Sequence, residues 1–242
     1  MKLFVSEGSG PEARPDPAYI DREATRHPSR RVVIAGAAAS LATVMLPRGA
    51  GAAAPLRLVA LGDSLTAGFG LPPEDGFVPR LQAALRSAGR SVTIANAGVS
   101  GDTATGGAER VDWSVPDGTD GVIVELGAND MLRGVDPKVT RAALTRILDR
   151  LQQRRIAAML TGMRALPNLG EDYARRFEQI YVDLARERGL IFYPFFLAGV
   201  AGDRSLNQGD GVHPNAQGVA AIVRDIVPTV ERFLDQISTN RA

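Results

Sequence analysis

The 242-residue chain contains two histidines, His27 and His213. His27 lies in a polar amino-terminal stretch, so His213 is the one imidazole left to a folded domain beyond it. Acyl transfer by a hydroxyl needs a base of that kind, and a carboxylate to hold the imidazole in its working tautomer. Asp210 stands three residues before His213 in D-G-V-H-P-N (210–215), close enough for both to project from one turn. A lone histidine is more often structural than catalytic, but this one falls in a Gly/Asn-rich loop, where functional side chains concentrate. The matching hydroxyl is Ser64, in L-R-L-V-A-L-G-D-S-L-T-A-G-F-G (56–70). It follows an apolar run at the place where open α/β sheets bind their ligands. Taken alone, this stretch reads equally as a nucleophile or as a helix cap formed by Asp63 or Ser64. A tetrahedral intermediate also needs donors for its oxyanion. The Ser64 N–H serves if Ser64 opens a helix, with the Gly101 N–H and the Asn129 side-chain amide beside it. Each of these has a plainer reading as a turn glycine or a capping asparagine. Their placement after three successive strands is the more specific signal.

The elements that must carry these residues alternate. Apolar runs predict strands over 56–61, 91–95, 121–126, 156–161 and 190–193. Helical spacing of apolar residues predicts helices over 77–88, 103–111, 137–154, 172–188 and 216–237, with Pro228 placed to kink or divide the last. Asp136-Pro137 opens the third of these, with Pro in its first turn. Strands alternating with helices imply a parallel sheet with right-handed crossovers. Five strands fit a flavodoxin-like order 2-1-3-4-5, an α/β fold of three layers, α/β/α. The polar, glycine-bearing loops after the strands then meet along one edge. Phe195, Phe196, Leu197 and Val200 read as core or pocket wall.

Composition narrows the function. Net charge is +1, from 28 Lys and Arg against 27 Asp and Glu. That leaves no field for nucleic acid or anionic lipid, and no basic stripe is interleaved with aromatics. Cysteine is absent, which removes disulfides, thiol nucleophiles and Cys-ligated zinc together. Oligomeric state is left open.

Residues 1–54 differ from the rest. Residues 1–29 are polar with no apolar period, the pattern of a disordered segment. Ser29-Arg30-Arg31 is followed by an uncharged run over 32–46 and the small residues 49–54. A positive region, a short apolar core and an A-x-A site make a signal peptide. The core is too short for the roughly 20 residues that span a bilayer. The arginine pair resembles a twin-arginine export signal, with Ala50-Gly51-Ala52 as the preferred cleavage site; an uncleaved helix is the alternative. The expectation is a leader over 1–54, one domain over 55–242, export to the periplasm or beyond, and no stable membrane insertion after processing.

The stretches G-D-S-L (62–65), N-A-G-V-S-G-D-T (96–103), E-L-G-A-N-D (125–130) and D-G-V-H-P-N (210–215) resemble, in order and spacing, the four blocks of the GDSL or SGNH hydrolase family. The resemblance spans residues 56–236. It is strongest toward the bacterial thioesterase I, arylesterase and lysophospholipase L1 group, through Leu132-Arg133-Gly134 and Arg164-Ala165-Leu166-Pro167-Asn168. Ala128 stands where close relatives often have glycine. The resemblance implies the SGNH hydrolase fold, with Ser64 as nucleophile, His213 as base and Asp210 as its partner. It implies an oxyanion hole of Ser64, Gly101 and Asn129, and a substrate pocket that includes Arg164, Leu166, Pro167 and Tyr173. The implied substrate is a small ester or thioester, such as an aryl ester, a short to medium acyl ester or a lysophospholipid, handled without cofactor or metal. Three rivals remain at this level. One is an acetylesterase acting on sugars within the same family. Another is a metal-dependent phosphohydrolase using Asp63, Asp102, Asp130 and Asp210. The third is a non-catalytic binding module on the same fold.

Overall fold

The computed structural model describes residues 54–241; the leader expected over 1–54 lies outside them except for Ala54. Five strands form one parallel sheet: β1 (Leu56–Gly62), β2 (Val92–Gly98), β3 (Gly121–Glu125), β4 (Ala157–Thr161) and β5 (Ile191–Tyr193). Their order is β2-β1-β3-β4-β5, as expected. β1 and β3 sit in the middle and are buried on both faces, which is why each reads as an unbroken apolar run rather than an alternating one. Each fully buried Leu, Ile or Val in such strands contributes about 1.5–3 kcal/mol of transfer free energy.

Seven α-helices lie among the described residues: α1 (Ser64–Ala67), α2 (Phe77–Ser87), α3 (Ala104–Ser114), α4 (Ala128–Leu132), α5 (Pro137–Gln153), α6 (Glu171–Arg188) and α7 (Ala216–Arg241). α2 packs with α7, and α5 with both α3 and α6, so helices cover both faces of the sheet. Among the described residues no helix is long and apolar enough to cross a membrane.

Three boundaries differ from expectation by three residues or more. β2 runs on through Asn96, Ala97 and Gly98, because each residue has a register partner on β1, ending with Gly62 opposite Gly98. Polar and glycine residues that read as loop are carried into the ladder by that pairing. Gly98 is needed there because a side chain would collide with the backbone of Ala67, so β2 and α1 approach at van der Waals distance. α3 continues to Ser114. α7 continues to Arg241 and is not divided by Pro228. Pro228 and Arg224, the residue whose carbonyl loses its helical donor to the proline, are both exposed, while Ile226, Thr229, Val230, Phe233 and Leu234 keep the buried stripe intact.

Candidate active site

α1 begins directly at the carboxyl end of β1. Asp63 caps it, its Oδ1 accepting from the Leu65 N–H at 3.0 Å, and Ser64 is the first helical residue, so its N–H has no intrahelical acceptor. The capping reading therefore holds for Asp63, and it leaves the Ser64 hydroxyl free of the capping role.

That hydroxyl meets the imidazole across 149 residues of sequence. Ser64 Oγ lies 2.9 Å from His213 Nε2, and His213 Nδ1 lies 2.6 Å from Asp210 Oδ2. A carboxylate only accepts, so Nδ1 carries the hydrogen and Nε2 is free to accept from Ser64. Asp210 Oδ1 accepts the backbone N–H groups of Val212 and His213 at 2.9 and 3.0 Å. Those bonds, with the imidazole, pull the Asp210 pKa down to about 2, so the carboxylate stays charged throughout the neutral range. The loop is held in place by Gln208. Its N–H donates to His213 O, and its side-chain amide to Phe69 O and Pro214 O. The Phe69 ring lies 4.6 Å from that of His213. Neither Phe69 nor Gln208 was singled out in the sequence; an aromatic in A-G-F-G, just past the Ser64 helix, was the available signal.

Asn129 sits in the first turn of α4, which starts at once after β3 because Gly127 takes φ +117° and leaves no room for a side chain against the Tyr181 hydroxyl. Its amide donates to Asp102 O at 2.9 Å and to Asp63 Oδ2 at 3.2 Å. The Gly101 N–H has no hydrogen-bond partner among the described residues, while its carbonyl accepts from Arg133.

Ser64, Asn129 and His213 line one cavity of about 420 Å³, within the usual range for small-molecule sites. Its apolar wall includes Met131, Met163, Leu166, Pro167, Phe195 and Leu197. Arg164 also lines it, with its guanidinium 4.9 Å from the Phe195 ring centre. Of the expected pocket residues, Arg164, Leu166 and Pro167 are in place; Tyr173 is not among those lining the cavity. It lies in the first turn of α6, stacks on Phe177 one turn later, and donates its hydroxyl to Val135 O at 2.9 Å. The helix directs its ring onto its own (i, i+4) neighbour, so proximity in sequence to the 164–168 loop was misleading. Gly101 also does not line the cavity; it joins the site through its neighbour Asp102.

The aspartates of the metal reading are dispersed. Asp102 pairs with Arg110 at 2.6 Å. Asp130 accepts the Ala104 N–H and the Thr140 hydroxyl. With Asp63 capping α1 and Asp210 on His213, among the described residues they do not assemble a cation cage.

Behind Ser64 lie two buried carboxyls. Burial raises the Asp63 pKa to about 6, against the pull of its bonds from Leu65 and Asn129. Glu125, fully enclosed, is pushed well above the usual range by burial and by Asp63, although it accepts the Thr66 hydroxyl at 2.7 Å. One of its oxygens has no partner among the described residues. Below the unfolded pKa of 4.5 both states hold the proton and Glu125 costs nothing. Above it the unfolded chain releases a proton that the folded chain keeps, so stability falls by about 1.4 kcal/mol per pH unit until folded Glu125 ionises. The Glu125→Gln variant lacks this titration. Its stability relative to the parent, from urea unfolding between pH 4.5 and 7.5, is expected to rise with pH. A difference independent of pH overturns the assignment.

Comparisons with known proteins agree with this architecture. Residues 60–221 match the sequence profile of the GDSL-like Lipase/Acylhydrolase family. The chain is 36% identical over 179 residues to an arylesterase of Vibrio mimicus, covering 74% of this chain and 90% of that protein. It is 34% identical over 165 residues to thioesterase 1/protease 1/lysophospholipase L1 of Escherichia coli, covering 68% and 78%. Among solved structures, AlinE4, an SGNH-hydrolase family esterase, superimposes with a TM-score of 0.63 at 44% identity, covering 74% of this chain and 97% of that one. With four sequence blocks converging on one edge of a five-stranded parallel sheet, and a family profile matched over two thirds of its length, the chain belongs to the GDSL-like Lipase/Acylhydrolase family.

Proposed function

We propose that the protein is a serine esterase that cleaves small carboxylic esters or thioesters through an acyl-serine intermediate. The observation that carries the reading is the unbroken relay from Asp210 through His213 to Ser64, opening on an apolar cavity. Ser64 Oγ attacks the carbonyl carbon as His213 Nε2 takes its proton. The imidazolium is held by the Asp210 carboxylate and faces the Phe69 ring. The oxyanion is met by the Ser64 and Gly101 N–H groups and by the Asn129 amide, which gives up the longer of its two bonds, that to Asp63. The intermediate collapses with loss of the alcohol or thiol, which leaves with the proton from His213. Water, deprotonated by His213, then attacks the acyl-serine, releasing the acid and restoring the Ser64 hydroxyl. The apolar wall favours an acyl chain or aryl group over a sugar, since it offers few partners for hydroxyls. Arg164, Leu166 and Pro167 bound it. The test is turnover of p-nitrophenyl esters from acetate to decanoate in protein freed of metal by chelation. Turnover of the short to medium esters is expected; folded protein inert toward all of them overturns the reading.

Residues 1–54 are proposed to be an export leader of the twin-arginine type, and 55–242 the hydrolase domain, working in the periplasm or outside the cell. The Arg30-Arg31 pair, the uncharged run after it and the A-G-A site support this. Cleavage after Ala52 is expected, which leaves Ala53 and Ala54 of that segment ahead of the domain and which amino-terminal sequencing checks; export that persists in a host lacking the twin-arginine translocase overturns the route.

A further inference from the structure

Arg110 is a buried charge that the reaction scheme above does not use. It lies on α3, 6% exposed, and its guanidinium makes four hydrogen bonds. Nε donates to Asp102 Oδ2 at 2.6 Å, Nη1 to Ala97 O at 2.8 Å and to Ser114 Oγ at 3.0 Å, and Nη2 to Gly62 O at 2.8 Å. Three of the four acceptors lie in the strand ends and turn that form the site. Gly62 ends β1, two residues before Ser64. Ala97 is the penultimate residue of β2. Asp102 directly follows Gly101. The turn between them is closed by the Val99 N–H on Gly62 O and the Asp102 N–H on Val99 O. The Asp102 carbonyl then takes the Asn129 amide at 2.9 Å. One guanidinium therefore holds the strand end two residues before Ser64 and the carboxylate of the residue after Gly101, whose carbonyl in turn holds the Asn129 amide.

We propose that Arg110 is a positioning residue for the oxyanion hole, setting the Ser64 N–H, the Gly101 N–H and the Asn129 amide relative to one another. The proposal rests on the donor roles given above. Arg110 touches no substrate atom. Its planar fork spans acceptors from two strand ends and a carboxylate at once, which a lysine ammonium, a single point of charge, does not reproduce.

The experiment is steady-state hydrolysis of p-nitrophenyl butyrate, with the rate of Ser64 labelling by a fluorophosphonate as a second readout. The variants are Arg110→Lys, Asp102→Asn, Asn129→Ala and the Arg110→Lys/Asn129→Ala double. Leu144→Ala, on the buried face of α5, is the destabilised control. Displacing donors by a fraction of an ångström is expected to lower kcat in Arg110→Lys by about 10- to 100-fold, with KM changed by less than about threefold and labelling slowed in step. Asp102→Asn keeps the main-chain carbonyl but loses the ion pair, and is expected to fall in the same direction by less. Asn129→Ala alone is expected to lose about 10²- to 10³-fold. The double variant should lose less than the product of the two singles, because they damage one shared device. Leu144→Ala loses stability and keeps kcat. Folded Arg110→Lys with kcat within about twofold of the parent overturns the proposal, as does a loss carried by KM or one that multiplies fully with Asn129→Ala. If Arg110→Lys does not fold, an unchanged kcat in Asp102→Asn overturns it. An unchanged kcat in Asn129→Ala removes that residue from the hole and overturns the donor reading itself, which separates the two failures.

Discussion

Replacing Ser64 with alanine is expected to lower kcat on p-nitrophenyl esters by about 10⁴- to 10⁶-fold, the scale on which removing the nucleophile of a serine hydrolase acts. The substitution is small. Among the described residues the Ser64 hydroxyl makes one hydrogen bond, to His213 Nε2, and its loss leaves a nitrogen on the cavity wall rather than a void in the core. A stability change of no more than about 1 kcal/mol is expected, so the variant should melt as a native protein and isolate chemistry from folding. Fluorophosphonate labelling should map to Ser64 in the parent and vanish in the variant. Folded Ser64→Ala that turns over within about tenfold of the parent removes Ser64 as nucleophile. Residual catalysis well above the uncatalysed rate is compatible with the reading, because an oxyanion hole still binds the transition state when the nucleophile is gone.

The second large effect is expected at Asp210. Asp210→Asn should lower kcat by about 10³- to 10⁴-fold with little change in KM, and the reason is the direction of hydrogen bonds rather than loss of charge alone. Asp210 Oδ1 accepts two backbone N–H groups, from Val212 and His213. An asparagine placed here must turn its carbonyl oxygen toward those two donors. Its NH₂ group then faces His213 Nδ1, where the carboxylate oxygen stood at 2.6 Å. A donor opposite Nδ1 forces that nitrogen to accept, the ring hydrogen moves to Nε2, and Nε2 no longer takes the Ser64 proton. The fold survives because both backbone bonds survive. Because the parent carboxylate titrates at about 2, the parent's pH–rate profile contains no step from Asp210 anywhere near neutrality. Asp210→Asn within about tenfold of the parent, or a loss seen mainly in KM, overturns this account.

Much of the architecture was legible beforehand because local chemistry and tertiary environment agree. The runs at 56–61 and 121–126 are apolar on both faces since the central strands of a parallel sheet are buried on both faces. Where the two disagree, sequence reading misled. Asn96, Ala97 and Gly98 have the composition of a loop and lie in β2, because β1 supplies a paired partner for each. Tyr173, close in sequence to the pocket loop, packs on Phe177 and bonds to Val135 O, because the α6 helix, not chain proximity, aims its ring. Arg110 was passed over because nothing in A-T-G-G-A-E-R-V marks a helical arginine as buried. Its burial follows from two carbonyls and a carboxylate brought together from separate segments.

By itself the sequence determined the chemistry on offer: a single imidazole beyond residue 54, a carboxylate three residues before it, a hydroxyl at the end of the first strand, and donors after the second and third. Residue identity, and the order of polar loops after apolar strands, are local properties that survive in one dimension. The tertiary structure alone decided what those groups do to one another. Whether Ser64 Oγ and His213 Nε2 come to 2.9 Å depends on the α7-side loop folding back over β1, latched by Gln208 to Phe69 O across 139 residues. Whether Asn129 faces the site depends on the Asp102 carbonyl that holds it. Contacts between segments far apart in the chain leave no period or spacing to read, because they arise from the packing of whole elements rather than from any neighbour in sequence.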